Sequence, residues 1–282
     1  MTRLGLGTVQ FGQAYGVSNR RGQVPREEAR RILTRAAEAG IALLDTAAGY
    51  GEAEAVLGAL GTKPFRVVTK TIGIGNGLEA VIARARASAA TLGRIDLLLV
   101  HAAGDLLSPG GAQLWAALRA LKDEGVVGGI GISAYVSDDP AGLAERFRPD
   151  AMQIPCSLLD QRLLASGALA RMKDLGVEIH ARSIFLQGLL FVDRLPEKLR
   201  HAAPALDAVK ARIAAAGVTP LAAALAFALS RPEIDVALVG VTSEAELCGI
   251  LAAATLPPPM LDWGACALTD ETVLTPSLWR TP

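Results

Sequence analysis

The 282 residues predict a single-domain (β/α)8 barrel, a TIM-type α/β fold, and three observations carry the expectation. Eight short apolar runs alternate with longer helical patterns from one end of the chain to the other. The runs are nearly continuous in Val, Ile, Leu and Ala, as parallel strands covered on both faces must be. No glycine-rich dinucleotide fingerprint follows the first run, which tells against an open doubly wound sheet. The length suits one such unit, since α/β barrels of this size fold as a single domain.

The expected strands are "RLGLGT" (3–8), "IALLD" (41–45), "RVVTK" (66–70), "IDLLLVH" (95–101), "VGGIGIS" (127–133), "DAMQIP" (150–155), "VEIHARS" (177–183) and "DVALVG" (235–240). Amphipathic or Ala-rich helices lie between them. "PREEARRILTRAAEAG" starts with Pro25 in its first turn, carries acids next, places Ile32, Leu33, Ala36 and Ala37 on one face, and stops at Gly40. "GLEAVIARARASAATLG", "AQLWAALRALKDEG" and "LLASGALARMKDLG" repeat the design, each ending at glycine. Two stretches depart from the repeat: an insertion at 184–217 and a tail at 257–282 that shows no helical pattern. Nothing resembles an interdomain linker, so 1–282 is read as one domain.

Composition narrows the function. Lys plus Arg and Asp plus Glu number 28 each, which leaves no net field for nucleic acid or an anionic membrane. Cys156, Cys248 and Cys266 have no paired spacing, so neither a disulfide framework nor a metal site is expected. No apolar run approaches the ~20 residues that span a bilayer, and the N-terminus lacks the pattern of a secretory signal. A cytoplasmic protein acting on small molecules is the expectation.

Polar residues then fall at the ends of successive strands. Asp45 closes the second, Lys70 the third, His101 the fourth and Ser133 the fifth, with Gln153 inside the sixth. Singly, each has an ordinary structural explanation as a cap, a solvated charge or a satisfied core group. Together they would converge on one barrel mouth, where catalytic groups of such folds sit. Tyr50, five residues beyond Asp45, adds a phenol. A phenol with a reference pKa of ~10 donates its proton poorly at neutral pH, and an adjacent ammonium favours its anion. Lys70 would supply that ammonium, Asp45 would hold it, and His101 would orient a carbonyl. This set contains no electron source, so a reduction needs a cofactor.

At these residues the chain resembles the aldo-keto reductase superfamily. "LDTAAGYGEAE", "VVTK" and "LLLVH" are similar to its aspartate–tyrosine, lysine and histidine motifs, and "GLGTVQFGQAYGVSN" is similar to a short bacterial branch. The resemblance implies a barrel that reduces aldehydes, ketones or sugars, or oxidises the alcohols, with NADPH as cofactor and NADH as the open alternative. It implies Asp45, Tyr50, Lys70 and His101 as the catalytic set, with Tyr50 the acid and no metal. Cofactor contacts follow residue by residue: Gly7, Thr8 and Asp45 near the nicotinamide, Ser133 and Gln153 on its carboxamide, and Arg182 in the stacking position. Ser183, Phe185, Leu186, Gln187 and Gly188 match the loop over the pyrophosphate, and Gly240, Thr242 and Ser243 the adenosine phosphate site at a helix start. Three departures stand out. Ala134 replaces a frequent asparagine, Arg182 a frequent tyrosine, and Glu246 falls where some members carry arginine.

Two other readings stay open at this level. One is a nucleotide-binding regulatory barrel with little turnover. The other is a lyase or isomerase that uses Lys70 without nicotinamide.

Overall fold

The structure, a computed structural model, describes residues 2–279. Met1 and the last three residues of the expected domain and tail lie outside that range. Eight parallel strands, β1 (Leu4–Gly7), β2 (Leu43–Asp45), β3 (Arg66–Lys70), β4 (Leu97–Val100), β5 (Ile130–Ser133), β6 (Ala151–Pro155), β7 (Glu178–Arg182) and β8 (Val236–Gly240), close a barrel in chain order. The expected (β/α)8 barrel is the observed fold. The second, fourth and fifth strands begin two or three residues later than expected. Their leading residues make only single backbone bonds at the floor, such as Gly128 N–H to the Ile95 carbonyl at 2.9 Å.

Helices α1 (Arg26–Glu38), α2 (Ala53–Leu60), α3 (Leu78–Leu92), α4 (Gly111–Asp123), α5 (Pro140–Phe147), α6 (Ala168–Asp174), α7 (Ala203–Ala215), α8 (Pro220–Ser230) and α9 (Glu244–Ala254) surround it. Pro25 is the cap of α1, one position before the place expected. The helix expected over 163–175 is interrupted at Gly167, which adopts φ +73°. The insertion contains a helix that the sequence reading left out, α7, whose Leu206, Val209 and Ile213 are buried. The tail forms short helical turns, with Trp279 Nε1–H donating to the Thr272 carbonyl at 2.9 Å. Among the described residues no single helix is long and apolar enough to cross a membrane, and the three cysteines are free.

The period-2 alternation of each strand sorts its side chains between barrel interior and helix layer. Leu43, Val68, Leu97, Leu99, Ala151 and Leu238 form a separate inner cluster, while the alternate residues join the large cluster beneath the helices. Gly5 and Gly131 make room inside: a Cβ on Gly5 would press on Val236 and Leu238, and one on Gly131 would collide with Ala151. Two residues beyond the inner cluster the interior series continues as Asp45, Lys70, His101 and Gln153. Alternation therefore delivers the polar strand ends to one mouth.

The opposite end is a charged floor. Asp96, Asp150 and Asp235 each precede an even strand and accept the backbone N–H of Val67, Ile130 and Ile179 on the preceding odd strand, at 2.7, 2.8 and 2.7 Å. Each also pairs with a cation, Arg94, Lys122 or Lys173 respectively. Arg66 at the start of β3 makes a two-bonded contact, both 3.0 Å, with Glu178 at the start of β7. Glu178 also meets His180 Nε2 at 3.0 Å. The His180 bond first, then Arg66 against opposing burial, holds the Glu178 carboxyl down at about 2.

Candidate active site

Asp45 is the last residue of β2 and is buried, so its charge needs partners. Two donors reach its carboxylate in three bonds: Lys70 Nζ at 2.7 and 2.8 Å, one bond to each oxygen, and Gln153 Nε2 at 2.6 Å. Lys70 ends β3 and is 1% exposed. Its ammonium adds the Thr46 carbonyl at 2.9 Å and the Tyr50 hydroxyl oxygen at 3.4 Å. Burial is the largest influence on Lys70 and opposes its charge, but Asp45 and Tyr50 together outweigh it, so its pKa lies above the usual lysine value. The mouth thus holds a permanent cation against a phenol oxygen.

The turn between Asp45 and α2 brings Tyr50 over Lys70. Tyr50 N–H bonds the Ala47 carbonyl at 3.0 Å, and Gly51 follows at φ +53°. The turn lies directly against Gly12, where a Cβ would collide with the Tyr50 carbonyl. Glu54, one turn into the acidic stretch, is buried. It accepts from Thr69 at 2.6 Å, Ser88 at 2.9 Å and Arg84, so it ties α2 to β3 and α3. It is a structural anchor.

His101 follows β4 and packs edge-on against Tyr50, with ring centroids 5.8 Å apart. Burial first, and then the Lys70 charge, pushes its pKa down to about 4. At neutral pH it is an uncharged imidazole beside the phenol. Asp45, Tyr50, Lys70 and His101 are thus neighbours, as the strand-end reading required.

The positions assigned to cofactor surround the same mouth. Gly7 and Gly240 stand opposite each other on β1 and β8, and Thr8, fully buried, donates its hydroxyl to the Asp45 carbonyl at 2.9 Å. Ser133 is buried at the end of β5, in register with Gln153, which is engaged with Asp45. Arg182 ends β7; its guanidinium lies 4.2 Å over the Tyr135 ring and donates to the Ala134 carbonyl at 3.2 Å. Its Nε is buried without a partner among the described residues. After β7 the loop carries Ser183, Leu186 and Gln187 at φ 59°, 45° and 54°, followed by Gly188 at 84°. Phe185 lies in the same loop, its ring 5.4 Å from Phe191, and Ser18 N–H reaches the Gln187 carbonyl at 3.4 Å. Three non-glycine residues with left-handed backbones in one loop cost of order 1–3 kcal/mol each, and such strain clusters at binding sites.

Thr242 and Ser243 are engaged by their own helix. Thr242 N–H and Oγ1–H donate to Glu246 at 2.7 and 2.8 Å, and Ser243 Oγ accepts from Glu246 N–H at 3.2 Å. The sequence reading missed Gly12, the Thr46 carbonyl, Tyr135 and Glu28. The first two act through backbone, and Glu28 meets α9 from a distant helix, so only the glycine in "QFGQ" was a visible signal.

The C-terminal mouth of a parallel barrel thus holds a buried lysine–aspartate pair, a phenol and a neutral imidazole. The aldo/keto reductase family model matches residues 3–266, and the chain belongs to that family. It is 30% identical to an uncharacterized oxidoreductase of Mycobacterium tuberculosis, over 91% of this chain and 85% of the relative. A Mycobacterium bovis protein of the same description matches to the same extent. Among solved structures, the holo form of aldo-keto reductase AKR11C1 from Bacillus halodurans superposes with a TM-score of 0.73 at 22% identity, over 91% of this chain and 87% of that one. That likeness speaks to the fold. Family and relatives together make the chain an oxidoreductase of a group that uses nicotinamide nucleotides.

Proposed function

We propose that the protein reduces the carbonyl of a small aldehyde, ketone or sugar, or oxidises the corresponding alcohol, with Tyr50 as the proton donor. The observation that carries this is the 3.4 Å approach of the buried Lys70 ammonium to the Tyr50 oxygen, with Asp45 fixing the ammonium from behind. As the proton leaves, negative charge grows on an oxygen that already faces a fixed cation, which is preorganised stabilisation. His101, neutral, is suited to donate a hydrogen bond to the substrate oxygen without competing for the proton.

The chain's own groups supply protons and no electrons, so they suit a nicotinamide nucleotide as partner. When bound, the nucleotide supplies the hydride. On the side facing β1 and β8 the mouth is lined by Gly7 and Gly240, and the Gln10 amide lies where a Cβ on Gly240 would stand. Ser133 and Gln153 are the amide-binding candidates, and Ser183 to Gly188 the candidates for the pyrophosphate. After proton transfer Tyr50 would be reprotonated from solvent at the half-exposed rim.

The test is oxidation of NADH or NADPH in the presence of a carbonyl panel, by wild type and by Tyr50→Phe. Turnover by wild type that collapses in the variant supports the reading. Nucleotide binding with no turnover on any carbonyl or alcohol would favour a regulatory barrel instead.

A further inference from the structure

At the barrel mouth Lys70 is balanced by Asp45, whereas Arg182 pairs with no carboxylate among the described residues. Arg182 lies two residues beyond His180, which is in register with the inward Gln153, so its side chain too projects into the mouth. The Tyr135 ring supports the guanidinium at 4.2 Å, and one terminal nitrogen donates to the Ala134 carbonyl at 3.2 Å. Nε is buried without an acceptor, and the other terminal nitrogen is open to solvent with no acceptor among the described residues. Arg84 and Arg162, also partly buried, are by contrast each bonded to a carboxylate, Glu54 and Asp160. Asp138, three residues past Tyr135, accepts the Tyr135 N–H at 2.7 Å and forms no ion pair with Arg182. The uncompensated charge is felt at His101: after burial and Lys70, and against Asp45, Arg182 adds to what holds that imidazole down at about 4. A partly buried guanidinium calls for acceptors, and its planar fork of N–H donors matches a carboxylate or a phosphate.

We infer that Arg182 makes the protein select carbonyl substrates that carry an oxyanion of their own, a carboxylate or a phosphate, which its free N–H donors bind. This rests on the proposed carbonyl chemistry and names the substrate class that family membership leaves open. Lys70 and Asp45 cancel, so the reaction centre keeps the positive charge of Arg182. A neutral aldehyde leaves that charge unmet, and an anionic one answers it with charge-assisted bonds. The pyrophosphate of a nucleotide is a second source of oxyanions. The action of Arg182 on His101, however, sets the guanidinium among the groups that handle the carbonyl. Tyr135 and the Ala134 carbonyl hold it there in advance, so little side-chain freedom is lost when an anion binds.

The experiment compares rates within matched pairs, each with NADH and with NADPH: 4-carboxybenzaldehyde and benzaldehyde, 4-oxobutanoate and butanal, glyceraldehyde 3-phosphate and glyceraldehyde. Wild type should favour the charged member of at least one pair about tenfold or more in kcat/KM, chiefly through KM, the scale of one hydrogen bond to a charged group. The carboxylate and phosphate pairs tell which oxyanion the guanidinium takes. Arg182→Gln should lower the ratio about tenfold, and Arg182→Lys, which keeps the charge and loses the fork, should retain part of it. Only the ratio within a pair is read, so a loss common to both members cancels. A second measurement needs no turnover: by calorimetry with nucleotide present, benzoate should bind wild type about tenfold more tightly than benzamide, and Arg182→Gln should remove the gap. A wild type without preference for any charged member, or a preference that survives Arg182→Gln, overturns this inference and leaves the proposed function standing. Absence of turnover on every member of every pair overturns the proposed function and this inference with it.

Discussion

Lys70 and Asp45 form a two-bonded ion pair at 2.7 and 2.8 Å, buried beneath the phenol that the lysine also touches. Neither charge reaches bulk water, so each is the other's solvation. Asp45→Asn should therefore cost about 3 kcal/mol or more, since it leaves a buried ammonium without its counter-charge. Guanidinium denaturation measures it. A loss under ~1 kcal/mol would mean that the Thr46 carbonyl and the Tyr50 hydroxyl oxygen carry the lysine's charge unaided.

Tyr50→Phe keeps the ring against His101 and removes only the hydroxyl. Turnover should fall roughly 10²-fold or more, as for loss of a general acid, with nucleotide affinity nearly unchanged. Single-turnover kinetics beside a fluorescence titration separates the two. Equal losses in both would assign Tyr50 to binding.

His101 supplies the pH dependence. Its pKa is about 4 in the folded chain against a usual 6.5, so the unfolded chain takes up the proton first as pH falls. The sign follows: stability is full above about pH 6.5 and declines toward pH 4, by about 3 kcal/mol in all from this residue. Melting temperatures across that window should drop less for His101→Gln than for wild type. Parallel curves for the two proteins would place the acid sensitivity elsewhere.

Gly12 tests how the phenol is held. Gly12→Ala puts a methyl group into the Tyr50 carbonyl, so the turn must shift. Stability should fall by about 1–3 kcal/mol, as for overpacking, and turnover should fall with it. Unchanged turnover in a folded variant would show that the turn reaches its position without this contact.

The barrel and its mouth were legible because alternation and strand ends are local patterns. Apolar runs ending in Asp45, Lys70 and His101 needed only the closure of the sheet to become neighbours. The floor was equally available but unread: an aspartate stands one residue before β4, β6 and β8. Helix α7 hid in "APALDAVKARIAA" because alanine blurs the apolar stripe of Leu206, Val209 and Ile213. The Glu28 contact to Glu244 spans 216 residues, and no periodicity announces it.

The three floor aspartates have a consequence at the far end of the barrel. Each fixes an even strand to the odd strand before it by one backbone bond, and so forbids a one-residue slip between them. A slip would send each inward residue of that strand to the helix side. Sliding β3 would turn Lys70 away from Asp45, sliding β5 would turn Ser133 out, and sliding β7 would turn Arg182 out. Carboxylates that touch no reactant thus act as alignment pins, and they decide which side chains the chemistry ever meets.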